Sequence, residues 1–219
     1  MTYESEAQFM ERFRQSAAGK GVVARAEVAK LAKAKPKQAL EIARGIEHPW
    51  YRCQAITSVA EVHPAASAVK DWLQEAMQAA QSQTEPNRVA SVASWPLRVL
   101  VKVDEASAAT HTKALLKVIA LEPHGLRKLD GLKGILVAVA SSAELRSLTF
   151  TPFLQAAKAS QGWRTERIID LVARTLAPLD RSDAMSLLSS RPATRYTKRS
   201  RALLSQMSGA SDTGAPLDT

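Results

Sequence analysis

The side chains most able to do chemistry crowd into His48–Pro64, HPWYRCQAITSVAEVHP. This stretch holds the single cysteine, two of the four histidines, a tryptophan, a tyrosine and an arginine. A cysteine nucleophile needs a base within hydrogen-bond reach and a depressed pKa. Residues 50–62 read as one helix, which puts His48 and His63 at its two ends. At 1.5 Å per residue that is roughly 22 Å, too far for both to serve Cys53. The expectation is therefore a semi-buried thiol that packs and does not react.

Other chemistries find no constellation. The chain has no His-Glu-x-x-His and no cysteine pair, and His111 and His124 stand alone, so no metal site is expected. Glycine patterns that cradle phosphates and the Gly-x-Ser-x-Gly elbow are also absent. Gly131-Leu-Lys-Gly134 matches the Gly-x-x-Gly loop of a KH module, but that loop needs flanking strands. Here it reads as two glycines that let helices approach closely. No catalytic residue and no cofactor is assigned.

The elements that would carry these residues are helical. Apolar stripes at spacings of three and four recur, as in Leu115, Leu116 and Ile119, or Phe150, Phe153, Leu154 and Ala157. Prolines fall between the stripes, at Pro36, Pro49, Pro64, Pro86, Pro123, Pro178 and Pro192, where helices start or turn. The sequence predicts two lead-in helices, 5–17 and 22–34, separated by Gly19 and Gly21. Five antiparallel pairs follow: 37–45 with 50–62, 65–81 with 87–102, 105–121 with 125–140, 143–159 with 163–177, and 182–190 with 194–207. No segment alternates with period two, so no strand is expected.

An arginine at the opening of the second helix repeats. Arg52, Arg88, Arg127 and Arg164 lie 36, 39 and 37 residues apart. Two helices per period of this length are the mark of an α-solenoid. The unit QALEIARGIEHPWYRCQAITSVAE resembles a HEAT-like or armadillo-like repeat, over about residues 37–207. The resemblance implies an all-α solenoid in which each arginine meets an acid a few positions earlier. Glu47 precedes Arg52 by five and Glu122 precedes Arg127 by five, whereas Gln83 and Ala159 hold that position before Arg88 and Arg164. Residues 1–207 read as one helical-repeat domain, and 208–219 as a tail too polar to fold.

Thirty basic residues against twenty-one acidic ones give a net charge of +9, which draws polyanions. The arginines could pair structurally with acids of the neighbouring unit. They could instead line a concave face as a cationic stripe, with Lys128, Lys133, Arg167, Arg174, Lys198 and Arg201 adding charge to the same layer. Trp50 and Trp163 sit at equivalent turns, as staples between units or as anchors for a partner. The leading expectation is a non-catalytic interaction module that holds an acidic segment of a protein partner on a basic concave face. Nucleic acid is the alternative: HEAT-like alkylpurine DNA glycosylases are similar small basic solenoids that use a concave acid beside aromatics. Asp130 and Asp170 are the acids on the second-layer helices, but neither has an aromatic residue one turn away.

The most apolar run, Gly134–Ala140, is about a third of the roughly 20 residues a membrane span needs, so no membrane partner is expected. The first fifteen residues do not read as a secretory signal. With one cysteine, a cytoplasmic setting is expected.

Overall fold

The structure, a computed structural model, describes residues 5–189 and 191–209. Most of the segment expected to be disordered, 210–219, lies outside the described residues. Twelve α-helices and no strand occur among the described residues, so the chain is all-α. No helix among them is long and apolar enough to cross a membrane.

Local chemistry explains where the helices begin. Ser5 and Gln8 form a capping box that opens α1 (Glu6–Gln15). Ser16 closes α1 and caps α2 (Ala17–Leu31), its hydroxyl accepting the Gly19 N–H. The break between the lead-in helices is thus at Ser16, and Gly19 and Gly21 lie inside α2. A Cβ on Gly19 would sit 1.9 Å from the Phe13 carbonyl oxygen, so the glycine answers a tight corner there.

Proline stands at the first turn of α3 (Pro36–Arg44), α4 (Pro49–Val62) and α6 (Pro86–Val103), where its missing N–H costs nothing. Between them, α5 (Val69–Gln81) starts four residues later than the sequence predicts. Asp104 caps α7 (Glu105–Ala120), accepting from the Ser107 N–H while Lys70 reaches it at 2.8 Å. The chain continues through α8 (Gly125–Val139), α9 (Ala143–Ala159), α10 (Trp163–Leu176), α11 (Arg181–Ser189) and α12 (Arg195–Gly209).

The even-numbered helices form one continuous row, α2 on α4, then α6, α8, α10 and α12. The odd-numbered helices flank this row, and among the described residues no substantial contact joins helices more than two apart in chain order. Leu73, Leu97, Leu129, Ile135, Phe153 and Ile169 are fully buried along the shared core. The expected pairing of 143–159 with 163–177 is not the one observed. The helix at 143–159 packs on α8 and not against α10, which also lies on α8. Between the two helices Gly162 takes a φ of +97°, open to glycine and strained for other residues, just before Trp163.

Cys53 has a structural explanation. Pro96 lies inside α6 and has no N–H to give the carbonyl four residues back, that of Val92. The buried Cys53 thiol donates to this Val92 oxygen at 3.6 Å, supplying a donor where proline removed one. Burial also pushes the thiol up to about 12, so it stays protonated and unreactive.

Candidate functional site

A cleft of about 640 Å³ opens where α8, α10 and α12 lie side by side. α10 provides its floor because its two faces differ. Thr165, Ile169, Val172, Ala173 and Leu176 point into the core. Arg164, Arg167, Ile168, Leu171 and Arg174 recur at three- and four-residue steps along the cleft. α8 adds Leu126, Arg127, Asp130 and Lys133 to one wall, and α12 adds Tyr196 and Arg199 to the other. Trp163 stands at the mouth, 59% exposed.

Charge pairing sorts these groups. Six cations face two carboxylates. Both acids are engaged: Asp130 accepts from Lys133 at 2.6 Å, and Asp170 accepts from Arg174 at 2.9 Å and from the buried Ser200 hydroxyl at 2.7 Å. Arg127 and Arg88 share one oxygen of Glu85, each at 3.4 Å. Arg164, Arg167 and Arg199 have no carboxylate partner among the described residues. Arg164 instead stacks over the Trp163 ring at 5.3 Å, and Arg195 over Tyr196 at 4.7 Å. The cleft therefore offers three unneutralised guanidinium groups around a band of apolar surface.

The arginine–acid pairing that the HEAT-like resemblance implies is not the one observed. Glu122 is buried and accepts the His124 backbone N–H at 3.1 Å, so Arg127 reaches back to Glu85. Arg52 has no partner among the described residues, Glu47 included, and does not line the cleft. Lys128 donates to the Ala120 carbonyl at 2.9 Å. Arg201 is spent on the end of α11, donating to the Leu188 and Arg191 carbonyls at 2.8 and 2.9 Å. Lys198 is exposed away from the cleft lining, and Trp50 packs against the core. Of the residues singled out from sequence, the structure brings Arg127, Arg164, Arg167 and Trp163 together with Lys133, Arg174, Asp130 and Asp170, and Arg88 lies beside them through Glu85.

The sequence reading missed Arg199, Tyr196, Leu171, Ile168 and Leu126 as cleft residues. A helical projection of residues 163–176 would have revealed the mixed outward stripe. Tyr196 could not be placed by repeat spacing, because the last interval, Arg164 to Arg195, is only 31 residues.

Beneath the cleft, Arg191 ties three segments together. Its guanidinium binds the buried Glu166 of α10 and donates to the Ala157 and Ser160 carbonyls that end α9. This clamp holds the start of α10, and hence Trp163 and Arg164. Among the described residues no group of three or more His, Cys, Asp or Glu could hold a metal ion. No protein-family model matches this chain, and no curated protein or solved structure matches it either.

Proposed function

We propose that this chain is a non-catalytic HEAT-like helical-repeat module that holds an acidic segment of a protein partner in the cleft between α8, α10 and α12. The repeat reading draws support from polar contacts that recur about one unit apart. Arg44 with Glu75, Arg98 with Glu61, His111 with Gln74 and Cys53 with Val92 span 31, 37, 37 and 39 residues. An array in which each unit touches only its neighbours gives that recurrence. The lone, buried Cys53 fits a cytoplasmic setting.

The observation that carries the binding reading is the trio Arg164, Arg167 and Arg199, without carboxylate partners beside a half-exposed tryptophan. Unpaired guanidinium groups next to an aromatic anchor are the composition of interface hot spots, and the charge steers an acidic partner inward. The test is binding of poly-glutamate by the whole chain, followed by fluorescence anisotropy. The double substitution Arg164→Glu, Arg167→Glu should weaken it at least tenfold and leave the helical circular dichroism unchanged, since both side chains are exposed. Unchanged affinity would remove the reading.

One observation favours nucleic acid as a second reading. Trp163 and Tyr196 each carry a stacked guanidinium, and such rings serve as platforms for unpaired bases. A dT12 oligonucleotide tests it: each neutralised phosphate contributes about −0.7 to the log–log salt slope on a single strand. A flat titration ends that alternative.

A further inference from the structure

Resting on the protein-binding reading above, we infer that the segment the cleft takes is an acidic amphipathic α-helix. It would set two apolar anchors against Trp163 and Leu171 and place its carboxylates on the guanidinium groups around them.

The form of the segment follows from the backbone of the cleft. Its walls and floor are the sides of α8, α10 and α12, whose peptide groups beyond the first turns are bonded within their own helices. An extended chain laid there would find no row of N–H and C=O groups to pair with. A helix brings its own backbone bonds and loses nothing on docking.

The anchors follow from what the cleft leaves uncovered. Trp163 and Leu171 are 59% and 41% exposed, and both line the cleft with the half-buried Ile168 between them. Eight residues of α10 separate the two anchors' contacts, about 12 Å along its axis. Apolar residues seven or eight apart on a partner helix span about 10–12 Å, two turns, and fall on one face.

The flanking charges complete the match. Arg164 and Arg167 lie on α10 between and beside those contacts, and Arg199 faces them from α12. The acids within the cleft are already held by Lys133 and Arg174, so they do not repel an incoming carboxylate as free acids would. Phosphodiester chains also answer to the guanidinium groups, but have no use for an exposed leucine beside them. The Ile168–Leu171 surface is what favours protein.

The experiment uses the whole chain and two synthetic helical peptides of about 18 residues, long enough to hold helix in solution. Both carry the same number and spacing of glutamates. One has leucines at positions i and i+7 of a single face, and the other has glutamines there. The anchored peptide should bind about ten- to a hundredfold tighter. Leu171→Ser, at an exposed position, should remove about half of that difference in free energy, while Arg164→Glu, Arg167→Glu should weaken both peptides alike. Trp163→Ala gives a second, independent loss of the anchor contribution.

Equal affinity for the two peptides would overturn the anchored helix and leave the acidic-partner reading standing. Binding of poly-glutamate but of neither peptide would also overturn the helix alone. Binding of dT12 with no binding of any acidic peptide would overturn both.

Discussion

Replacing Arg191 by methionine tests whether the clamp beneath the cleft is what holds α10 in place. The guanidinium serves Glu166 and two carbonyls, and both ionic side chains are nearly buried, 9% and 6% exposed. Methionine fills comparable volume but leaves the Glu166 carboxylate without a donor. Its Oε2 is already buried with no hydrogen-bond partner among the described residues, so nothing nearby can take over. Breaking a buried pair from one side costs about 3–5 kcal/mol, most of it the stranded charge. If that is the cause, the same substitution made in Glu166→Gln should cost only about 1–2 kcal/mol, the share of the orphaned carbonyls. Urea unfolding followed at 222 nm on the four proteins of this cycle gives both numbers. A single-substitution cost below about 1 kcal/mol, or the same cost in both backgrounds, would refute the reasoning. It would mean that packing, not the ion pair, secures the start of α10.

Three further outcomes are expected. Ile169→Asp buries a charge at a fully buried position and should cost several kcal/mol, whereas Leu171→Asp, two residues on and 41% exposed, should stay within about 0.5 kcal/mol; thermal unfolding separates them. Cys53 should resist thiol reagents at pH 8 until urea unfolds the chain, and reaction at the unfolded rate in native buffer would contradict its burial. Because its folded pKa is raised from 9.0 to about 12, the matching stability is fully present below about pH 9 and is lost as pH climbs toward 12, which urea midpoints across that range would show. Gly131→Ala should destabilise by about 1–2 kcal/mol, since its Cβ would lie 2.6 Å from Ile119 Cδ1 and 3.2 Å from Ala90. Gly134→Ala, whose nearest neighbour is 3.4 Å away, should instead gain about 0.5–1 kcal/mol of helix propensity.

The helices were legible because their signals are local. Proline at first turns and apolar residues at three- and four-residue steps mark elements without reference to anything distant. What sequence could not show was which groups meet across helices. Glu122 stands at the spacing that suggests a partner for Arg127, yet it is buried against the His124 N–H and out of play. Cys53 looked like chemistry because its neighbours are reactive types. Its role depends on Pro96, 43 positions away in the chain, and only the packing of α4 on α6 joins the two. The cleft was half visible for the same reason. Arg127, Arg164 and Trp163 stand at recurring sequence spacings and Arg167 shares a helix with two of them, whereas Tyr196 and Arg199 reach the cleft from α12, which that spacing does not locate. Leu171 passes for an ordinary core leucine until the neighbours of α10 are known.

Because each helix among the described residues makes its substantial contacts with helices no more than two places away, that part of the chain has no long loop to close before contacts begin to reward it. Among the described residues even the widest side-chain hydrogen bond, Arg127 to Glu85, spans 42 positions. Such a molecule can start to assemble at several places and grow outward, a route that favours rapid folding. It can also peel from one extremity while the remainder holds. Tyr196 and Arg199 enter the cleft from α12, so the cleft keeps its shape only while α12 stays seated on α10 and α11.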